Sequence, residues 1–305
     1  MNPDTKKLHL VGIGVGHSIA PGMHNHILAS LNLPWTFHST ECLSIEDVIQ
    51  LAKKDTTAGL VVTMPYKNAV MEHLDEVDEL AAAIGACNNV YYTDGNSRRL
   101  CGTNTDWIGI KGCLLEGNNG KPLDNACTGL IVGAGGASRA AVYALSSHLH
   151  CSTIYILNRD DQEVEALLRD SRKLPIIPKI VHIKTIEQAR ETSPVDYIVG
   201  TIPDFEPKTE AERIVAAVLK HFLEQSTKGV LLDMCFKPRR TRMIKLAESL
   251  GWACVEGTHV IGYQIEKQYA LWVGESRAKD LDKAGAWKVL LKAAEESKGI
   301  NFSTQ

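Results

Sequence analysis

Residues 128–140 read TGLIVGAGGASRA, which puts Gly133, Gly135 and Ser138 at the three key positions of a G-x-G-x-x-G loop, with serine in the last. The loop follows an apolar run and opens an Ala-rich stretch, the strand-to-helix context that gives such a loop weight. Glycine permits the tight turn and the close approach of a pyrophosphate. The helix start offers free N–H groups and the positive end of its dipole. The plainer alternative is a glycine-rich turn that binds nothing. Further on, a strand over Thr153–Leu157 runs into Asn158-Arg159-Asp160-Asp161. About 20 residues past such a loop, a carboxylate takes the ribose 2′-hydroxyl of NAD, whereas an arginine takes the 2′-phosphate of NADP. Asp160, Asp161 and Glu163 would repel a phosphate, so the charges favour NAD. Arg159 could bind one or stack on adenine, which leaves NADP open. The expected cofactor residues are Gly133, Gly135, Gly136, Ala137, Ser138, Asn158, Arg159 and Asp160, with Thr201 at the end of a strand over 196–201.

A second group is scattered along the chain. Lys67 sits after Pro65 at a strand end, and Asp106 follows Asn104-Thr105. A lysine near a carboxylate can remove a hydroxyl proton and stabilise the alkoxide. Taken singly, Lys67 reads as a solvated lysine and Asp106 as the N-cap of a helix over 107–115. Thr63, Asn88, Asn104 and Gln264 are uncharged groups that suit a polyol ring, whose hydroxyls each donate and accept. Turn and cap roles are their alternatives, strongest for Asn104. No metal is expected: His24 and His26 are two apart and point to different helix faces, and no further ligand has motif spacing beside His17. Cys87 and Cys235 read as small buried residues rather than nucleophiles. Arg239-Arg240-Thr241-Arg242 reads as a solvated helix start, not a nucleic-acid patch.

These residues need a scaffold, and strand and helix signals alternate throughout. Strands are expected over Leu8–Val15, Trp35–Glu41 and Gly59–Met64, and over Asn88–Thr93 and Arg99–Gly102 about a turn at 94–96. Pro21 opens a helix to Leu31. Ser44 with Asp47 resembles a capping box for a helix to Lys54, and Val77–Ile84 is helical. A cluster of Gly, Asn, Pro and charge at Glu116–Asn125 marks a domain junction. Beyond it, strands over about 128–132, 153–157, 180–184, 196–201 and 229–233 alternate with helices, a pattern that predicts a parallel, doubly wound sheet. Helices over 259–274 and 280–297 are expected to return to the first domain, and 298–305 to fray.

The chain of 305 residues suggests two domains, and its 44% hydrophobic and 23% charged residues are ordinary for a globular protein. A net charge of −3 gives nothing to neutralise a phosphate backbone, so no nucleic-acid partner is expected. The start, MNPDTKKLHLVG, lacks the apolar core of an export signal. The expectation is a cytoplasmic, reducing compartment with all eight cysteines as thiols. The best apolar run, Leu130 to Leu145, is too short to span a membrane and is broken by Arg139.

Several of these segments together resemble one family, the shikimate/quinate dehydrogenases, over residues 10–274. GVGHSIAPGMH (14–24) resembles the family's opening substrate loop, and VTMPYK (62–67) its catalytic-lysine motif. GACNNV (85–90), GTNTD (102–106), the glycine loop, Asn158-Arg159, DMCFKP (233–238) and Gln264 follow in the family's order. The loops are similar to the fungal-type branch. The resemblance implies an α/β fold: a Rossmann-type doubly wound parallel sheet domain over 116–255, plus an α/β substrate-binding domain formed by 1–115 with 256–305. The active site would lie in the cleft between them. It implies Lys67 and Asp106 as the catalytic pair, and Ser18, Thr63, Asn88, Asn104 and Gln264 as partners of a cyclic hydroxy acid. The implied activity is reversible NAD(P)-dependent oxidation of quinate or shikimate to the 3-dehydro ketone, quinate with NAD favoured. An NADP-dependent shikimate dehydrogenase is the nearest alternative. A non-catalytic metabolite sensor is the alternative of another class, and retention of Lys67 and Asp106 argues against it. Monomer and homodimer both fit. Two positions depart from the family: Ala20 replaces a hydroxyl residue in the opening loop, and Phe236 replaces a common tyrosine, followed by Lys237 for asparagine. Both remove an OH expected near the substrate carboxylate, which leaves quinate, shikimate or a related cyclic acid open.

Overall fold

The computed structural model describes residues 5–93, 98–120 and 127–302. The expected turn at 94–96 and the 121–125 part of the expected junction lie outside the described residues. The chain forms two compact units, Met1–Thr105 with Ile261–Gly299, and Asp106–Val260 with Ile300–Gln305.

The first unit begins with β1 (Lys7–Gly12), α1 (Ala20–Ser30), β2 (Thr36–Glu41), α2 (Ile45–Ala52) and β3 (Thr57–Val62). It continues with β4 (Glu76–Val77), α3 (Glu79–Ile84), β5 (Asn89–Tyr92) and β6 (Leu100–Thr103). The sheet order is β2-β1-β3-β5-β6-β4. β1 runs parallel to β2 and β3, while β5 is antiparallel to β3 and β6. Val11, Leu60, Val62 and Val90 share an apolar cluster with Val48 and Ile49 of α2. The Ser44–Asp47 capping box forms: Asp47 N–H donates to Ser44 Oγ, and the Asp47 carboxylate accepts the Ser44 N–H. Two expected elements are shorter. The first strand stops at Gly12, because Gly14 takes φ +71° and residues 15–17 close a 3-10 turn. The helix expected from Val77 starts at Glu79, where Asp78 caps it by accepting the Ala81 N–H at 2.7 Å; Val77 pairs in β4 instead.

The second unit holds α4 (Asp106–Gly117), β7 (Cys127–Val132), α5 (Gly136–Tyr143), β8 (Cys151–Leu157), α6 (Asp161–Ser171) and β9 (Lys179–His182). After these come α7 (Ile186–Arg190), β10 (Tyr197–Gly200), α8 (Glu210–Leu223), β11 (Val230–Asp233), α9 (Arg242–Ser249) and β12 (Ala253–Glu256). Every strand pairing is parallel, in the order β12-β11-β10-β7-β8-β9. The order reverses at β7, the topological switch point of a doubly wound sheet. Leu130, Ile198 and Leu231 of the sheet pack with Leu219, Phe222 and Leu223 of α8. α4 lies on α5, β11 and β12 and so groups with this unit.

One strand is new here, and three expectations are corrected. β12 was not foreseen; it adds a short edge strand to β11. Cys127 and Cys151 form a disulfide rather than two thiols, since the register of β7 and β8 sets them opposite one another with Cα atoms 4.4 Å apart. The tail does not fray at Ile300, which is fully buried and whose carbonyl accepts the Arg239 N–H at 2.7 Å. The arginines of 239–242 do precede a helix, but they are paired: Arg239 and Arg240 with Glu256 at 3.3 and 3.1 Å, Arg240 also with Glu248, and Arg242 with Asp204 at 3.5 Å.

α10 (Thr258–Val273) leads into α11 (Glu275–Ala278) and α12 (Lys283–Glu296). Residues 261–299 group with the first unit. Trp272 of α10 donates from Nε1 to the Val90 carbonyl at 3.1 Å and lies over Gly59, where a Cβ would come within 2.3 Å of Nε1. α12 packs against α1. No helix among the described residues is long and apolar enough to cross a membrane.

Candidate active site

The glycine loop joins β7 to α5. Gly133 has φ +116°, and its N–H donates to the Leu157 carbonyl at 2.8 Å. A Cβ there would meet Thr201 Oγ1 at 2.3 Å and Ile202 Cγ2 at 2.9 Å, so only glycine fits. Thr201 donates its hydroxyl to the Val132 carbonyl at 2.8 Å, so buried Ser138 donates to Thr201 Oγ1, also at 2.8 Å. Gly135 precedes α5 with no side-chain cap, and a Cβ on it would meet nothing within 4 Å. The first-turn N–H groups at Gly136, Ala137 and Ser138 therefore face a side-chain-free approach, the kind of cradle a pyrophosphate fills. The expected residues Gly133, Ser138 and Thr201 come together at the switch point.

Asn158, Arg159 and Asp160 leave the end of β8. Asp160 is the N-cap of α6, accepting the N–H groups of Gln162 at 2.8 Å and Glu163 at 3.3 Å. Asn158 Nδ2 donates to Glu163 Oε2 at 2.8 Å. Arg159 forms an ion pair with Glu212 of α8. Glu212 is itself fixed: Oε2 accepts the N–H groups of Lys208 and Thr209 at 2.9 Å each, closing a capping box with Thr209. Those bonds hold its carboxyl down to about 2, with Arg159 adding to the effect. Lys184 pairs with Asp161 at 2.7 Å and lowers the Asp161 carboxyl below its usual range. The sequence reading missed Glu212, although T-x-x-E at 209–212 is a recognisable capping box.

A buried cluster of uncharged groups lies in the first unit. Asn88, Thr105, Gln264 and Gln268 are each at most 6% exposed. Gln264 Oε1 accepts from Asn88 Nδ2 at 2.9 Å and from the Thr105 hydroxyl at 2.5 Å, and Asn88 Oδ1 accepts the Thr105 N–H at 2.7 Å. Gln268, one turn along α10, reaches Thr105 Oγ1 and Gln264 Oε1 at 3.5 Å each. Its Oε1 and both amide atoms of buried Asn89 have no hydrogen-bond partner among the described residues. Thr105 and Gln268 were not foreseen. The signals were present: Thr105 lies inside the GTNTD segment, and Gln268 is four residues from Gln264 on the same helix face.

The other expected residues hold local positions. Ser18 Oγ accepts the Ala20 N–H at 3.2 Å ahead of α1, and the loop before it is clamped by Glu41, whose carboxylate accepts the N–H groups of Gly14 and of Val15, the latter at 3.1 Å. Thr63 follows β3 directly, with its N–H on the Val11 carbonyl at 2.9 Å. Gly12 makes room for it, since a Cβ there would sit 2.5 Å from Thr63 Cγ2. Lys67 is half-buried in the following turn, and its carbonyl accepts the Cys87 N–H at 2.7 Å. Asn104 Nδ2 donates to the Ala86 carbonyl at 2.8 Å. Asp106 is buried and opens α4. Burial pushes the Cys87 thiol up to about 12, which suits an inert buried residue. His24 is fully enclosed, stacked on Phe37 at 4.0 Å, and burial lowers its ring to about 3, so it is a neutral core residue. His26 pairs with Asp282 at 2.9 Å.

A six-stranded parallel sheet with a glycine loop at its switch point, in a chain that also carries a mixed α/β unit, defines a Rossmann-type α/β protein with a second domain. A family model described as the shikimate dehydrogenase substrate binding domain matches residues 10–90. The quinate dehydrogenase of Emericella nidulans is 33% identical over 288 residues, covering 88% of this chain and 87% of that protein. The chain belongs to the shikimate/quinate dehydrogenase family. The pentafunctional AROM polypeptide of Eremothecium gossypii is 37% identical over 273 residues, which are 88% of this chain but 17% of that polypeptide. The crystal structure of shikimate 5-dehydrogenase from Thermus thermophilus in complex with NADP(H) and shikimate superposes with a TM-score of 0.72 at 26% identity, covering 94% of this chain and 99% of that one.

Proposed function

We propose that this protein is an NAD(P)-dependent oxidoreductase of the cytosol that interconverts quinate or shikimate and the 3-dehydro ketone, with quinate and NAD favoured. The observation that carries this reading is the buried cluster of Asn88, Thr105 and Gln264. Groups far apart in sequence converge there into uncharged donors and acceptors, in a chain 33% identical to a quinate dehydrogenase. Such groups recognise ring hydroxyls by bonds that a substrate lacking them cannot repeat. Ser18, Thr63, Asn88, Asn104 and Gln264 hold the ring and its carboxylate. The first unit is the substrate domain and the second the dinucleotide domain. The glycine-loop N–H groups, Ser138 and Thr201 fit the pyrophosphate side of NAD, and Asn158, Arg159 and Asp160 its adenosine side. A bound nicotinamide dinucleotide supplies the hydride acceptor. Lys67 takes the proton from the ring hydroxyl and returns it in the reverse direction, and Asp106 orients the lysine. Small Ala20 and apolar Phe236 favour quinate, whose extra hydroxyl sits on the carboxylate-bearing carbon. The test is absorbance at the reduced-nicotinamide band, with quinate or shikimate against NAD or NADP and with Lys67→Ala as control. A rise with quinate and NAD that the control loses supports the reading. A preference for shikimate and NADP supports the biosynthetic alternative. Binding of either acid without turnover in any pairing supports a metabolite sensor.

A further inference from the structure

The sequence alone left the choice between the two nicotinamide cofactors to the charges after β8. The structure adds a residue from another element. Within 158–163 the only cation is Arg159, and it is paired with Glu212 of α8. The pairing is asymmetric. Glu212 is anchored twice by backbone N–H groups at the start of α8, and its side chain is 23% exposed. The Arg159 side chain is 61% exposed. The acid is therefore the fixed member and the arginine the one that is held. Beside them, a hollow of about 120 Å³ lies between the ends of β8 and β9 and the face of α8, lined by Asn158, Arg159, Asp161, Lys184, Ile214 and Val215. Its other cation, Lys184, is paired with Asp161. Both cations at this hollow are thus already neutralised by carboxylates.

We infer that Glu212 is a specificity-determining residue: by holding Arg159 it denies a 2′-phosphate its cationic partner and adds a repelling charge, so the chain takes the dinucleotide with a free 2′-hydroxyl. The inference rests on the second unit binding a dinucleotide. A doubly charged phosphate at roughly 6 Å from one carboxylate in water is disfavoured by about tenfold in affinity. Substituting Glu212→Gln keeps an acceptor for the α8 capping box and removes the charge.

The experiment is calorimetric titration of the full chain with adenosine 2′,5′-bisphosphate and with 5′-AMP, alongside NAD⁺. Glu212→Gln is expected to tighten the bisphosphate by about tenfold while moving 5′-AMP by less than about twofold. Arg159→Ala in that background should lower the gain, because the freed guanidinium adds to the relief of the lost carboxylate charge. Glu210→Gln, which removes the same charge two residues earlier, where it pairs with Arg213, should change neither ligand. Equal shifts for both nucleotides, or a gain that Arg159→Ala leaves undiminished, would overturn the role of Glu212 while leaving dinucleotide binding intact. Failure of the unsubstituted chain to bind either 5′-AMP or NAD⁺ would overturn the dinucleotide reading, and the inference with it.

Discussion

Replacing Gln264 by methionine tests the buried polar cluster directly. The two side chains are similar in length, so packing changes little, but the amide oxygen is lost. That oxygen accepts from Asn88 Nδ2 at 2.9 Å and from the Thr105 hydroxyl at 2.5 Å, both in residues at most 2% exposed. A buried donor deprived of its acceptor costs about 1–3 kcal/mol. Thr105 has a fallback, since its hydroxyl already lies 3.2 Å from Asn88 Oδ1. The Asn88 amide therefore carries most of the loss, and we expect Gln264→Met to lower stability by about 2–3 kcal/mol. Urea unfolding followed by tryptophan fluorescence measures this. In steady-state kinetics the variant should also raise KM for quinate by about tenfold, the equivalent of one hydroxyl contact. Thr105 and Gln264 belong to one hydrogen-bond network, so a variant that also carries Thr105→Val should cost less than the sum of the two single ones. A stability change below about 0.5 kcal/mol with an unaltered KM would refute the reasoning, because exposed sites behave that way.

Gly133→Ala forces a Cβ to within 2.3 Å of Thr201 Oγ1 at φ +116°; it should cost about 3 kcal/mol in urea unfolding and abolish NAD⁺ binding, and a variant that binds normally would contradict the tight-turn account. The Asp233 carboxyl is pushed up to about 7, first by burial, with Asp204 adding and with Thr241 and the Cys235 N–H pulling the other way. Unfolded, it titrates near 4, so the folded chain keeps a proton the unfolded chain has released. Its contribution is therefore fully present below about pH 4 and lost as pH rises to about 7. Asp233→Asn should gain on the unsubstituted chain by about 1.4 kcal/mol per pH unit across that window and level off above it. A difference that stays flat from about pH 5 to 9 would rule out the buried acid.

What could be read ahead of the structure was local in sequence. The glycine loop was legible because the strand, the turn and the helix start it joins are contiguous, and the Ser44–Asp47 box because its two halves are three residues apart. Short elements were harder. β12 has four residues and pairs only through β11, so nothing within Ala253–Glu256 marks it as a strand. The end at Ile300 depended on a carbonyl–amide bond to Arg239, and the Cys127–Cys151 bridge on the register between two strands.

By itself, the sequence determined the parallel character of the second sheet, most element types, the glycine loop and two side chains of the polar cluster, Asn88 and Gln264, because helix period, strand runs and turn glycines act within a few residues. Only the tertiary structure decided which partners those side chains hold. Asn88 meets Gln264 across 176 positions and Arg159 meets Glu212 across 53, and Glu41 reaches back to clamp the loop ahead of Ser18. A buried amide or a guanidinium takes whichever partner packing brings within hydrogen-bond reach, and that proximity is set by how sheets and helices stack rather than by any spacing along the chain.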